Sequence, residues 1–233
     1  MPRDGLRTVT LWLHVHNGYP SYEGAGTEWN TWDWDGYKFA KALKGEPFRG
    51  YATIKGVDGA WKKITPANPS PAFDLFGSWG ANVIREAGIE SAFLVPVPAS
   101  SCVAFDTDAK GRALCEAIAR YHDGMEPEEA FHWSEQLTPA HKGGPRHKDE
   151  LLSKLVLWKG LPKDKPVIMV DDVATLHGHM KACAQMLRDH DYEVALAIAG
   201  AQTVHERPDH PMFAFPPSDL DAPDPNPFEG WDL

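Results

Sequence analysis

The segment VIMVDDVATLHGHMKACAQML, Val167 to Leu187, constrains the fold more than any other stretch of the chain. Four consecutive apolar residues lead into two adjacent acids and a short polar loop. Met180, Cys183, Ala184 and Leu187 then recur at i, i+3, i+4 and i+7. The first run has the form of a strand buried on both faces, and the last is the apolar stripe of a helix. A second apolar run, VALAIAGA, follows that helix directly. Doubly buried strands separated by amphipathic helices predict an α/β fold with a twisted, mainly parallel sheet, because parallel crossovers cover both faces with helices.

The alternation extends backwards along the chain. Phe73, Phe76, Val83, Ile84 and Ala87 recur at near-helical spacing before Gly88, which reads as a C-terminal cap. AFLVPVP (Ala92 to Pro98) reads as a short strand ending in a loop that contains Ala99, Ser100 and Ser101. Leu114, Ile118 and Tyr121 mark one face of a helix over 109–121. AFHW and LLSKLVLW are two more strand candidates, flanking the polar stretch EQLTPAHKGGPRHKDE.

The two ends differ from this middle. In residues 1–70 the alternation of TVTLWLHV, GYATIKGV and GAWKKI predicts short antiparallel strands in a β-rich hood or accessory region. Trp29, Trp32 and Trp34 lie there in a polar stretch that does not read as a regular core element. Residues 207–233 contain seven prolines, which excludes a helix or an inner strand. They predict either a disordered tail or an arm draped over a neighbouring surface, with Phe213, Phe215, Phe228 and Trp231 favouring contact. The α/β core then spans 71–206.

A length of 233 residues suits one α/β domain with decorations. The balance of 23 basic and 33 acidic residues gives −10, which argues against a protein that coats nucleic acid yet leaves room for a local basic pocket. Cys102, Cys115 and Cys183 are odd in number and form no CxxC, as expected of reduced thiols in a cytoplasmic protein. The apolar stretch near the N-terminus is broken by His14 and His16, and no run approaches transmembrane length, so no membrane attachment is expected. His14 and His16 share one face of a strand, but no third metal ligand stands at suitable spacing.

The acid pair carries the chemistry. In a parallel sheet it arrives at the C-terminal strand end, where open α/β sheets bind ligands. The helix that follows offers unpaired N–H groups and the positive end of its dipole, which suit a phosphate. The acids suit sugar hydroxyls, or a Mg²⁺ ion that bridges to the ligand. A phosphorylated ribose satisfies both halves.

DDVATLHGH resembles the signature of type I phosphoribosyltransferases, whose pattern runs approximately D-D-V-x-T-[TS]-G-x-[TS]. Asp171, Asp172, Val173 and Thr175 match it; Leu176 replaces a hydroxyl residue, His177 the usual Gly, and His179 the second hydroxyl, with Gly178 one position late. LVPVPASS resembles the family's pyrophosphate loop, in the version of the ComF-like subgroup. The resemblance covers about residues 73–205. It implies that Asp171 and Asp172 orient the ribose of phosphoribosyl pyrophosphate (PRPP), directly or with Mg²⁺. Val173, Ala174, Thr175, Leu176, His177, Gly178 and His179 then form the 5′-phosphate loop, and Ala99, Ser100 and Ser101 the pyrophosphate loop. The stretch bearing His141, Lys142, Arg146, His147 and Lys148 is the counterpart of the loop that closes over PRPP. The implied activity is transfer of ribose 5-phosphate to a nitrogen acceptor, and such scaffolds often form homodimers. Two alternatives share the scaffold: a non-catalytic binder of PRPP or a nucleotide in regulation or assembly, and an interaction protein that binds neither.

Overall fold

The computed structural model describes residues 10–22, 28–138, 144–145 and 147–223. A six-stranded sheet forms its centre, and five of the strands are parallel. Numbered along the chain, these are β1 (Trp12–Pro20), β4 (Ala92–Pro96), β5 (Met125–Pro127), β8 (Val167–Ala174) and β9 (Val194–Val204). The sixth, β10 (Ser218–Asp219), pairs antiparallel with β1 at one edge, so the order is β10-β1-β9-β8-β4-β5. Two antiparallel hairpins stand apart from the sheet: β2 (Ala52–Lys55) with β3 (Trp61–Ile64), and β6 (Phe131–Trp133) with β7 (Leu155–Leu157).

Helices cover both faces, as doubly buried strands require. Helices α1 (Thr31–Leu43), α2 (Ser70–Glu86) and α3 (Ala109–Ala119) pack on one side, where Phe39, Phe76, Ile84, Leu114 and Ile118 meet Ile168, Val170 and Ile198. Helices α4 (Lys148–Leu152) and α5 (Gly178–Asp189) pack on the other, where Leu151, Met180, Cys183 and Leu187 meet Val167, Met169, Ala197 and Ala199. The period-2 alternation of strand side chains explains this division along β8 and β9. Each fully buried aliphatic side chain in these layers contributes about 1.5–3 kcal/mol relative to exposure. Cys102, Cys115 and Cys183 are buried free thiols, and among the described residues no helix is long and apolar enough to cross a membrane.

The structure differs from the sequence expectations in four places. TVTLWLHV contributes not to an antiparallel hood but to β1, a parallel member of the central sheet paired with β9. The Trp-rich stretch forms α1. Asn30 caps it, accepting from the Asp33 N–H at 3.1 Å, while Asp33 accepts from the Asn30 N–H at 2.9 Å. Gly36 lets α1 approach β1, since a Cβ there would stand 2.7 Å from the Gly18 carbonyl oxygen. Helix α3 stops at Ala119, leaving Tyr121 exposed beyond it. Finally, LLSKLVLW is only in part a strand: its first residues complete α4, and β7 begins at Leu155.

The described part of the Pro-rich segment is an arm. Met212 accepts from the Gly18 N–H at 2.8 Å, Leu220 donates to the Leu11 carbonyl at 2.8 Å, and Asp221 takes a two-pronged bond from Arg188. Arg207 reaches back to the buried Asp33 carboxylate at 2.7 Å. Phe228 and Trp231 lie outside the described residues.

Candidate functional site

Strand β4 pairs with β5 on one side and β8 on the other, so the chain leaves β4 in one direction and later returns past it. The helices after β4 and β8 consequently lie on opposite faces: α3 on one, α5 on the other. Loops that diverge in this way leave a crevice at the C-terminal strand ends, the place where open α/β sheets bind ligands. The acid pair lies on β8 just beyond its last pairing with β4, Pro96 with Val170.

Strand alternation turns the two acids to opposite faces. Asp172 is buried and its carboxylate forms a short ion pair with the ammonium of Lys110, in the first turn of α3. Asp171 faces α5, where its charge reaches Cys183. The Asp171 carboxylate accepts from the Asp172 N–H at 2.8 Å. Burial first, and then the neighbouring Asp172 charge, hold the Asp171 carboxyl well above the usual carboxylate range, with Lys110 opposing. Burial works against the Lys110 ammonium, but attraction to Asp172, then to Asp171 and Asp108, holds its pKa above the ordinary lysine value. One cation thus balances two acids.

Carboxylate oxygens are the donors Mg²⁺ prefers. Among the described residues, however, no three His, Cys, Asp or Glu side chains converge to hold a metal ion, and Lys110 already neutralises Asp172. The residues therefore fit a cation carried in on a ligand's own oxygens, and do not make a cage for a resident ion. His14 and His16 likewise meet no third ligand among the described residues. His16 is instead packed in the core, stacked on Phe39 at 4.6 Å, and burial lowers its pKa to about 4.

Beyond β8, Thr175 shares a hydrogen bond of 3.2 Å with Thr203 at the end of β9, and Leu176 is exposed. His177 adopts the left-handed conformation, φ 59°, and precedes α5 without capping it through its side chain. The backbone there is the one a Gly adopts freely, held by a residue with a Cβ at a cost of about 1–3 kcal/mol. Gly178 begins α5. His179 packs edge-on against Trp133 at 5.4 Å, and burial lowers its pKa.

The loop after β4 is tightly held. Cys102 N–H donates to the Ala99 carbonyl at 2.8 Å, closing a turn around Ser100 and Ser101. The buried Asp108 caps α3 by accepting from the Gly111 N–H at 2.9 Å, and its other oxygen accepts from the Ala99 N–H at 2.9 Å. Trp133 on β6 donates its indole N–H to the carbonyls of Pro98 and Ala99, at 3.2 and 3.1 Å. Leu137 N–H donates to the Ser100 carbonyl at 2.9 Å. Trp133 therefore touches the 98–99 loop through its N–H and the first turn of α5 through His179. The expected 173–179 loop is only residues 175–177, since Val173 and Ala174 complete β8 and Gly178 and His179 begin α5.

Lys110, Asp108 and Trp133 escape a reading of the sequence. Asp108 with Gly111 three residues on is a weak capping signal, whereas Lys110 and Trp133 gain meaning only from distant partners. Between β6 and β7, His141, Lys142 and Arg146 lie outside the described residues. His147 precedes α4 and Lys148 opens it, pairing at 3.9 Å with the exposed Asp149, and neither bonds the acid pair.

No family model matches this chain, and no curated protein matches it. Among solved structures it is similar to an adenine phosphoribosyltransferase, with 15% identity and a TM-score of 0.37 over 71% of this chain and 98% of that one. It is also similar to a hypoxanthine phosphoribosyltransferase from Staphylococcus aureus, with 10% identity and a TM-score of 0.34 over 59% of this chain and 74% of the other.

Proposed function

We propose that the protein is a PRPP-dependent phosphoribosyltransferase, moving ribose 5-phosphate onto a nitrogen acceptor and releasing pyrophosphate. The observation that carries this reading is the set of groups gathered where the connections after β4 and β8 diverge. There an acid pair, a helix N-terminus and a lysine stand beside a rigid turn. In this reading Asp171 and Asp172 hold the ribose hydroxyls, residues 175–179 and the start of α5 take the 5′-phosphate, and the 99–101 turn takes the pyrophosphate. Lys110 exchanges part of its pairing with Asp172 for a phosphate oxygen. A Mg²⁺ ion held on the diphosphate's own oxygens, beside Asp171 and Asp172, would supply screening of its charge. Bond breaking at the anomeric carbon develops positive charge, so fixed carboxylates and a positioned leaving group lower the barrier. The 141–148 loop shields the site from water. The cytoplasm is the expected compartment, and a homodimer the expected assembly.

His177 and Leu176, where the family has Gly and a hydroxyl residue, favour a second reading: a binder of PRPP that does not turn it over. Calorimetric titration with PRPP, with and without Mg²⁺, tests both on wild type and Asp172→Asn. Mg²⁺-dependent binding, weakened at least about tenfold in the variant, is expected; absence of binding to wild type refutes both readings. Pyrophosphate release across a panel of bases then separates enzyme from binder.

A further inference from the structure

The charge of this chain is unevenly spread. Residues 38–63 hold seven Lys or Arg against Glu46 and Asp58, a net +5 inside a chain of −10, so the remainder carries −15. Glu46 pairs with Lys41 and Lys44, and Asp58 with Lys62 at 3.5 Å. Lys38, Arg49, Lys55 and Lys63 have no ion pair among the described residues.

These cations are interleaved with exposed rings. The β2–β3 hairpin buries Ala52, Ile54 and Ile64 against the core. Strand alternation then turns Tyr51, Thr53, Lys55, Trp61 and Lys63 outward, with Lys55 opposite Trp61 and Thr53 opposite Lys63. Tyr51 is 55% exposed and Trp61 59%. The Lys63 ammonium lies 4.4 Å from the Tyr51 ring centre. The strip continues onto α1, where Lys38 donates to the Tyr51 carbonyl at 2.9 Å and lies 5.7 Å from the exposed Trp34 ring. Large rings left in water need a reason. An interface with another protein, or with a second copy, is ordinarily poor in lysine at its centre. Flat rings alternating with unpaired cations suit a ligand that alternates flat rings with phosphates.

We infer that the outer face of the β2–β3 hairpin, with Trp34 and Lys38 of α1, binds single-stranded nucleic acid. Bases stack on Tyr51 and Trp61, and phosphates lie against Lys55, Lys63, Lys38 and Arg49. A single strand fits better than a duplex, because stacking on protein rings requires bases with free faces. The inference stands independently of the PRPP reading.

The test is fluorescence anisotropy with the full chain and a labelled oligouridylate. Binding is expected to weaken with salt at a logarithmic slope of about −3, from about 0.7 per neutralised phosphate and four cations. Trp61→Ala and Tyr51→Ala should each weaken it at least about fivefold, Trp61→Phe should largely restore it, and the double variant Lys55→Glu, Lys63→Glu should abolish it. A duplex of equal length should bind more weakly. These side chains point outward, so unchanged melting curves serve as the folding control. No binding at low salt, or binding indifferent to both the ring and the charge substitutions, overturns the inference. So does a sedimentation result in which Trp61→Ala converts a dimer to a monomer and no oligonucleotide binds.

Discussion

Asp171→Asn should make this protein more stable, and only above acid pH. Two adjacent carboxylates share one lysine, and the Asp171 carboxyl is held well above its ordinary value of 3.8 by burial and by the Asp172 charge. The folded state therefore binds the Asp171 proton more tightly than the unfolded chain does. Its stabilising contribution is fully present below about 3.9 and is lost as pH rises through the folded value. Asparagine preserves the shape, and its carbonyl oxygen can still accept the Asp172 N–H, but it carries no charge. Removing a functional site's built-in cost contributes about 0.5–2 kcal/mol. Asp171 retains some solvent contact and Lys110 is partly exposed, which screens the repulsion and points to about 1 kcal/mol. In a chain of this size that is roughly 2–4 °C in Tm. Thermal denaturation of wild type and Asp171→Asn from about pH 4 to pH 8 reads the effect directly. The gap should be near zero at the acid end and widen as pH rises. A variant less stable than wild type at pH 8, or a gap that does not change with pH, refutes the reasoning. PRPP affinity measured on the same samples should fall, so stability and binding move in opposite directions.

Two further predictions follow from buried polar groups. Trp133→Phe keeps a ring against His179 but leaves the Pro98 and Ala99 carbonyls without their indole donor. It should cost about 1–3 kcal/mol in urea denaturation and weaken PRPP binding by loosening the 98–102 turn; an unchanged urea midpoint contradicts the coupling of that turn to α5. His16 is buried neutral with its pKa lowered to about 4, so its contribution is present above about 6.5 and is lost as pH falls through about 4. Wild type should lose roughly 3 kcal/mol from this source, and His16→Phe should not; identical pH profiles for the two would exclude it.

Much of the fold is legible in local pattern. Apolar runs such as VIMV and VALAIAGA are strands because short, continuously apolar segments bounded by polar turns suit a sheet covered on both faces. The stripe of Met180, Cys183, Ala184 and Leu187 is helical because that spacing makes one face. Elements whose role depends on what they touch are not legible in this way. The role of Gly36 depends on β1, whose Gly18 carbonyl occupies the space of the missing side chain. TVTLWLHV has the alternation of an exposed-edge strand because it lies near the rim of the sheet, flanked by a two-residue strand. The left-handed backbone at His177 follows from the junction of β8 with α5, and no residue preference announces it.

The sequence by itself determined the Asp171–Asp172 segment: a buried strand delivering two acids to the mouth of a helix. Hydrophobic periodicity is local, and it sets strand, turn and helix within a few residues of one another. Only the tertiary structure decided what surrounds those acids. Lys110 comes from 62 residues away to balance Asp172, and Trp133 ties the 98–99 loop to the start of α5. The basic, aromatic face of the β2–β3 hairpin likewise arises because strand pairing gathers side chains that the sequence keeps apart. Charge balance, loop rigidity and surface patches are properties of contacts between distant residues, and chain folding creates them.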